Sequence, residues 1–429
     1  MFLDPIARDY PSACALVAMC DPSFVRMKAH QDRLARMYHF PSVPTYRATD
    51  FERMLREQAP EVVIVCTPDA THHEYIVRAL QAGCDVVTEK PMTVDAEKCA
   101  IIMEAVSSSE RSVRVAFNYR WGTGATKVFE VLRSGVIGKV VSVHFEYMLN
   151  TSHGADYFRR WHSDKKMSGG LLVHKSTHHF DLVNWWLDAI PQEVFAYGRL
   201  AFYGEANAIA RGDAAYLRYP RYTGQPCEGD PFAFKVDEGD LKAIYFDAEA
   251  ETNYIRDRNV FRQGITIEDT MSVVLKYRTG TTMTYALNAF CPNEGFRVSF
   301  TGDRGRMEYE EEHGSHIITG GSDLDLAQQQ LSNGYAMKLR VMPHFKQAYT
   351  VAIAPPTGAH GGGDVGLQEQ IFSASPPKDP FGRHAGAQQG AASILVGIGA
   401  NRSMEKGIPV RIDDIHRFPP ELTRLSELT

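Results

Sequence analysis

The sequence predicts an α/β domain on a parallel sheet, followed by an α+β domain with a large, mostly antiparallel sheet. Three observations predict it. At 429 residues the chain exceeds one ordinary domain. Up to about residue 120, short apolar runs alternate with helical patterns, as in a parallel sheet covered on both faces. Beyond that point apolar runs succeed one another through turn residues with no helix between them.

The first domain, residues 1–120, opens in "MFLDPIARDYP", where Phe2, Leu3, Ile6 and Ala7 share one helix face. "CALVAMCD" (14–21) is a strand-like run that ends in an acid, and 23–40 has helical composition. "EVVIVCTP" (61–68) reads as a buried strand, and "HHEYIVRALQAG" (72–83) as a helix stopped by glycine. "DVVTEKP" (85–91), a helix near 94–109 and "VRVAFNY" (113–119) complete the alternation. In the second domain, 121–429, strands are expected at 138–149, 269–277, 281–290 and 296–302, with "YRTGTT" and "TGDRGR" as turns. Segments 203–265 and 354–383 are rich in turn residues and read as long loops, and 385–407 as a late helix of small residues.

Composition excludes several functions. The formal charge of -6 and the lack of a basic cluster argue against a nucleic-acid partner. No apolar run approaches the ~18–20 residues of a membrane span, so no membrane partner is expected. Seven scattered cysteines without a CxxC pair fit reduced thiols in a cytoplasmic protein.

In dinucleotide-binding folds an acid about 20 residues past a glycine-rich turn holds the adenosine ribose. Asp21 fits that place at the tip of 14–21, yet no strand and no GxGxxG stand before it. The expectation is a Rossmann-like domain that lacks its first strand and glycine-rich loop, with Met1 an internal methionine. An export signal would be lost with that segment. The first strand is central in such sheets, and each backbone group left buried without a partner costs on the order of 1–3 kcal/mol.

"CTPDATHHEYIVRALQAGCDVVTEKPMT" resembles the TPxxxH and EKP elements of the Gfo/Idh/MocA oxidoreductases. "SGVIGKV", "GGLLVHKSTHHFD" and "FTGDRGRMEY" are similar to that family's second-domain motifs. The resemblance implies a domain binding NAD or NADP and a second domain that supplies substrate contacts. It places Thr67, Pro68 and His72 beside the nicotinamide, Glu89 and Lys90 in the EKP element, and Asn118 near the cofactor. Lys90 would lie by the reacting hydroxyl, where an ammonium stabilises developing charge on oxygen. Asp21 favours NAD, because a carboxylate repels a 2′-phosphate.

The histidine-rich run 174–187 is expected as one helix. At about 100° per residue, His174, His178, Asp181 and Trp185 share a stripe, opposite Phe180, Val183, Trp186, Leu187 and Ile190. The resemblance sets the acid/base histidine at His178 and an aspartate where this chain has His174. With Lys175 adjacent, the site becomes more cationic and suits an anionic or heavily hydroxylated substrate. A zinc ion on His174 and His178 is the competing reading, but HExxH is absent and Lys175 repels a cation, so no metal is expected. A solvated polar helix end is the bland one.

"GAHGGGD" (358–364) offers His360 and Asp364 on a glycine hinge, and NAD-dependent glycosidases of the same superfamily carry a similar element. "YFRRWHSDKK" (157–166) offers Arg159, Arg160, Trp161 and Lys166 for sugar stacking and polar contacts. The expected function is NAD(P)-dependent oxidoreduction of a sugar, cyclitol or sugar-derived hydroxyl. In it His178 takes the proton, Lys90 stabilises the oxygen, and His174 and Lys175 relay protons or touch substrate. Trp161, His360 and Asp364 complete the expected substrate contacts. The alternative is a glycoside hydrolase that uses NAD for transient oxidation and elimination. The broad second-domain sheet suits a homo-oligomer.

Overall fold

Five short parallel strands form the sheet of the first domain in two pieces. The computed structural model describes residues 1–314, 336–356, 358 and 360–428, so Ala359 of the glycine hinge lies outside the described residues. Strand β1 (Met19–Cys20) pairs with β2 (Thr45–Tyr46). Strands β3 (Val62–Val65), β4 (Asp85–Thr88) and β5 (Val113–Val115) form the second piece in that order. Helices α1 (Leu3–Arg8), α2 (Phe24–Tyr38), α3 (Phe51–Gln58), α4 (His72–Gln81) and α5 (Ala96–Ser107) alternate with them. Ser23 caps α2 and Asp95 caps α5, each accepting a backbone N–H three residues on.

The strand expected over 14–21 contracts to two residues. Its ladder partner β2 is only two residues long, and Cys14 and Leu16 instead pack beside Phe2 and Phe372.

Among the described residues, the second domain turns on a nine-stranded sheet in the order β13-β12-β11-β10-β6-β9-β8-β7-β14. These strands are β6 (Val140–Asn150), β7 (Pro191–Arg199), β8 (Thr270–Tyr277), β9 (Thr282–Cys291) and β10 (Glu294–Gly302). They continue with β11 (Gly305–Gly314), β12 (Ala336–Pro343), β13 (Tyr349–Val351) and β14 (Val410–Arg411). All neighbours are antiparallel except β6 and β9. Helix α6 (Thr123–Arg133) and the Ala387–Lys406 helix cover one face. Small residues bring the latter close: a Cβ at Gly397 would stand 2.3 Å from the Leu172 carbonyl oxygen, and one at Gly390 would stand 2.7 Å from Val115. One continuous apolar core therefore runs from the β3–β5 sheet into the large sheet.

Neither expected loop is a plain loop. The 354–383 segment contains the Gly363–Phe372 helix, which buries Leu367 and Phe372 against Phe2 and Trp121. The 203–265 segment contains helical turns at Glu205–Arg211, Gly239–Leu241, Lys242–Phe246 and Glu249–Thr252. It reaches back to the first domain. Glu251 accepts from the Ser23 hydroxyl at 2.5 Å and the Val25 amide at 3.2 Å, and the Arg26 guanidinium donates to the Ile244 carbonyl at 3.2 Å. These contacts fasten the segment over the N-terminus of α2, beside Asp21.

Candidate active site

The carboxyl ends of β3, β4 and β5 form a rim. After β3 the chain turns through Thr67 and Pro68, and Cys66 and Pro68 are exposed. His72 is buried beneath this turn, one ring nitrogen on the Thr67 carbonyl at 2.8 Å and the other on the Pro91 carbonyl at 2.9 Å. It bridges the TP turn and the EKP turn, and burial keeps it toward the neutral form, which donates to one of the two carbonyls at a time. Glu89 accepts from the Lys90 amide at 3.2 Å, and burial raises its carboxyl despite the Lys90 charge. The Lys90 ammonium donates to the His174 carbonyl at 3.3 Å. Burial pulls that ammonium below its ordinary range, with Asp69 and Glu89 opposing.

Facing the rim is the histidine segment. Helices α7 (Thr151–Arg159) and α8 (Lys165–Ser168) lead to Gly169 and Gly170, both at positive φ, and then α9 (Leu171–His174). Helix α10 (Thr177–Leu187) begins after a break, so 174–187 is not one helix. At the break the Ser176 hydroxyl accepts from Tyr285 at 2.8 Å. Nor is one face of α10 open: residues 177–186 are buried all round. Asp181 leaves the expected stripe for a bidentate pair with Arg120, both bonds 2.7 Å, joined by the Ser393 hydroxyl at 3.0 Å. Trp185 stacks on Phe129, and Trp186 and Phe180 pack against Phe300 and Tyr285.

The two candidate imidazoles have different surroundings. His174 Nδ1 lies 2.5 Å from Asp69 Oδ2, and its ring stands edge-on to His162 at 4.3 Å. His178 stacks on Tyr119 at 4.1 Å, and its buried Nδ1 has no partner among the described residues. Burial, followed by the Lys90 charge, depresses both imidazoles well below the ordinary histidine range. Lys175 is buried between aromatic rings, 3.4 Å from the Tyr119 hydroxyl and 5.1 Å from the Tyr147 ring centre. Burial draws its ammonium down to about 8, with Glu294 opposing.

Other expected residues converge to different degrees. His360 contacts Asp364 at 3.0 Å, Asp364 accepts from the Asn118 amide at 2.7 Å, and the His360 ring lies 5.7 Å from Tyr119. The glycines permit this approach, since a Cβ at Gly363 would sit 2.2 Å from the Asn118 carbonyl oxygen. Against the upward push of burial, His360 and Asn118 hold the Asp364 carboxyl below its ordinary range. Trp161 stacks on His162 at 3.7 Å. Arg160 pairs with Asp156 at 3.1 Å, Arg159 donates to the Phe232 carbonyl, and Lys166 is exposed. Asp21 stands apart at the end of β1, accepting from the Ser23 amide at 2.8 Å and from Arg26 at 2.9 Å.

Sequence reasoning missed Asp69, Tyr119 and His162. All three stand beside predicted site residues: Asp69 beside Pro68, Tyr119 beside Asn118 and His162 beside Trp161. Their long-range partners are what give them a place in the site.

The donor set suits a nicotinamide dinucleotide. Parallel strands end at one rim, where such ligands bind. Asn118 Oδ1 is buried with no partner among the described residues, an acceptor open to a carboxamide N–H. A lysine and two neutral imidazoles beside such a rim, under a second α/β domain, define a dinucleotide-dependent oxidoreductase.

The chain belongs to the Gfo/Idh/MocA oxidoreductase family. Residues 2–117 match its NAD-binding Rossmann fold and residues 130–412 its C-terminal alpha/beta domain. The first match begins at residue 2, so it gives no support to the expected loss of the first strand and glycine-rich loop. The chain is 34% identical to YteT of Bacillus subtilis (strain 168) over 434 residues, 97% of this chain and 96% of that one, whose name assigns an oxidoreductase without a substrate. It is 30% identical over 136 residues to an inositol 2-dehydrogenase of Rhizobium meliloti (strain 1021), covering 32% of this chain and 39% of the relative. A levoglucosan dehydrogenase solved with NADH and L-sorbose shares the fold at TM-score 0.61 and 15% identity, over 95% of this chain and 93% of the other. The aldose-aldose oxidoreductase of Caulobacter crescentus does so at TM-score 0.58 and 16% identity, over 92% and 91%. No helix among the described residues is long and apolar enough to cross a membrane.

Proposed function

We propose that this protein is an NAD-dependent oxidoreductase acting on a secondary hydroxyl of a sugar, cyclitol or sugar derivative. The observation that carries the reading is the meeting of the Lys90 ammonium with the histidine segment, 3.3 Å from the His174 carbonyl. When bound, the nicotinamide takes up or returns the hydride. Lys90 points its charge at the substrate oxygen, and one of the buried imidazoles, His174 or His178, takes the hydroxyl proton. Thr67, Pro68, Glu89 and Asn118 line the nicotinamide side, and His72 sets the shape of that rim. Asp21 receives the adenosine ribose and selects NAD over NADP. Trp161, His360 and Asp364 contact the substrate, with Lys175 behind them through Tyr119. The inositol and levoglucosan dehydrogenases named above support this substrate class. The exposed Tyr197, Val141 and Val274 on the large sheet suit a homo-oligomer.

The His360–Asp364 contact with Asn118 favours a second reading: a glycoside hydrolase that keeps its NAD and oxidises its sugar only transiently. A panel of myo-inositol, levoglucosan, glucose, glucuronate and aryl glycosides separates the two. NADH absorbance with a free sugar or cyclitol supports the first reading. NAD-dependent aryl release without net NADH supports the second. Turnover of no compound by either readout rejects both.

A further inference from the structure

Two imidazoles compete for the proton, and the family resemblance favours His178. We infer that the acceptor is instead His174, held by Asp69 in a dyad whose halves come from different domains, and that His178 packs the site through Tyr119. This inference rests on the oxidoreductase reading.

Asp69 lies in the turn after β3 and His174 closes α9, 105 positions later. Their contact at 2.5 Å is buried, with side-chain exposures of 10% for His174 and 5% for Asp69. Nδ1 is thereby engaged, and Nε2 is the nitrogen left to face a substrate hydroxyl. A carboxylate on one imidazole nitrogen fixes the tautomer and stabilises the cation formed when the other nitrogen takes a proton.

His178 has no such support. Its Nδ1 is buried without a partner among the described residues, and its ring lies flat on Tyr119 at 11°. A proton there would create a cation beside Lys90, Lys175 and His360 with no carboxylate in contact.

The groups facing His174 are Lys90, Arg160, Lys175 and His72, which all oppose a positive ring, together with His162. Those facing Asp69 are Lys90, Glu89 and Arg160; burial pushes its carboxyl well above the ordinary range, with Lys90 and Arg160 opposing. Among the contacts described, Asp69 is the acid that touches His174, and its ionised form is the one that favours a charged ring. The carboxylate that the resemblance expects at position 174 has not vanished; it arrives from the TP turn.

In the oxidising direction the substrate O–H breaks and its proton passes to His174 Nε2. The O–H electron pair closes the C=O bond while the carbon's hydride passes to the dinucleotide. The Nδ1 proton stays in the bond to Asp69. Reduction reverses each transfer.

The test uses the full chain with NAD and the fastest substrate of the panel. Asp69→Asn should lower kcat on the order of 100-fold or more. Its acid limb should move to lower pH, because a buried imidazole beside Lys90 loses its counter-charge. Asp69→Glu should recover part of both. His178→Phe keeps the stacked plane and should cost under about 10-fold, less than the general-base range. Independently of turnover, the NAD-free wild type should show a downfield Nδ1–H proton resonance for His174 that vanishes in Asp69→Asn. A missing resonance in the wild type overturns the dyad, as does an Asp69→Asn enzyme with unchanged kcat and pH profile. So does a His178→Phe loss equal to that of Asp69→Asn. Dyad resonance present but no hydride transfer with any compound would sink the oxidoreductase reading instead.

Discussion

The strand-end rim and the histidine segment meet through Lys90 but are assembled in opposite ways. At the rim, partners are close in sequence: His72 holds Thr67 and Pro91, 5 and 19 positions away, and Glu89 holds its neighbour's amide. In the histidine segment every informative partner is remote. His174 meets Asp69 over 105 positions, Lys175 meets Tyr119 over 56, and Asp181 meets Arg120 over 61. A local turn fixes where the rim's groups stand, whereas the charge and tautomer of the segment's groups depend on the whole chain being folded.

The contrast can be broken from either side. The largest effect should come from Lys90→Met, the rim ammonium that reaches the segment. Loss of an oxygen-stabilising donor should lower kcat on the order of 10²–10³-fold, with NAD affinity by calorimetry changed less than about 3-fold. An equal loss of NAD binding would make Lys90 part of the rim alone.

Asp181→Asn comes next. It leaves Arg120 as an uncompensated charge, its side chain 0% exposed, and should destabilise the protein by about 3–5 kcal/mol in urea unfolding. His72→Gln, which breaks only local ties, should cost about 1–3 kcal/mol. Equal costs would erase the distinction between the regions.

A third effect depends on pH. Burial opposes the charge on His313, but its contacts with Glu294 and Glu311 outweigh that and raise it to about 9. The folded value lies above the unfolded one, so this stabilisation is complete below about pH 6.5 and is lost as pH rises through 9. Comparing wild type and His313→Gln in urea at pH 6 and pH 9.5 should show a gap of roughly 2–3 kcal/mol that closes at the higher pH. A constant gap would refute it. The smallest effect belongs to Asp21→Ser at the far end of the rim. It should reduce the preference for NAD over NADP about 10-fold, read from kcat/KM with each cofactor.

The same contrast explains what could be read from the sequence. Strands β3 and β4 and helices α4 and α5 follow from apolar runs and caps within a few residues of each other, and the structure places them within two or three residues of expectation. Strands β11 and β12 escaped notice because charged residues alternate with inward-facing Met307, Tyr309, Leu339 and Val341, as on a sheet with one solvated face. In the site, the stripe of His174 and His178 was legible from periodicity, whereas Lys90 and the role of His178 were legible only through the family resemblance. Asp69 as a partner of His174 was not, since no local rule joins a turn after one strand to a helix in another domain. The break at Ser176 was not legible either, because an apolar period does not mark where a helix is interrupted.

The Glu251 contact with the start of α2 bears on how separable the molecule is. Residues 242–252 belong by chain order to the substrate-side half, yet they roof the nucleotide-side lobe. A fragment ending near residue 120 would leave the Ser23 hydroxyl and Val25 amide without that carboxylate, and would strip the shared core from β5. Transplanting the front lobe onto another scaffold would thus move an unfinished part, because its lid is encoded more than a hundred residues downstream.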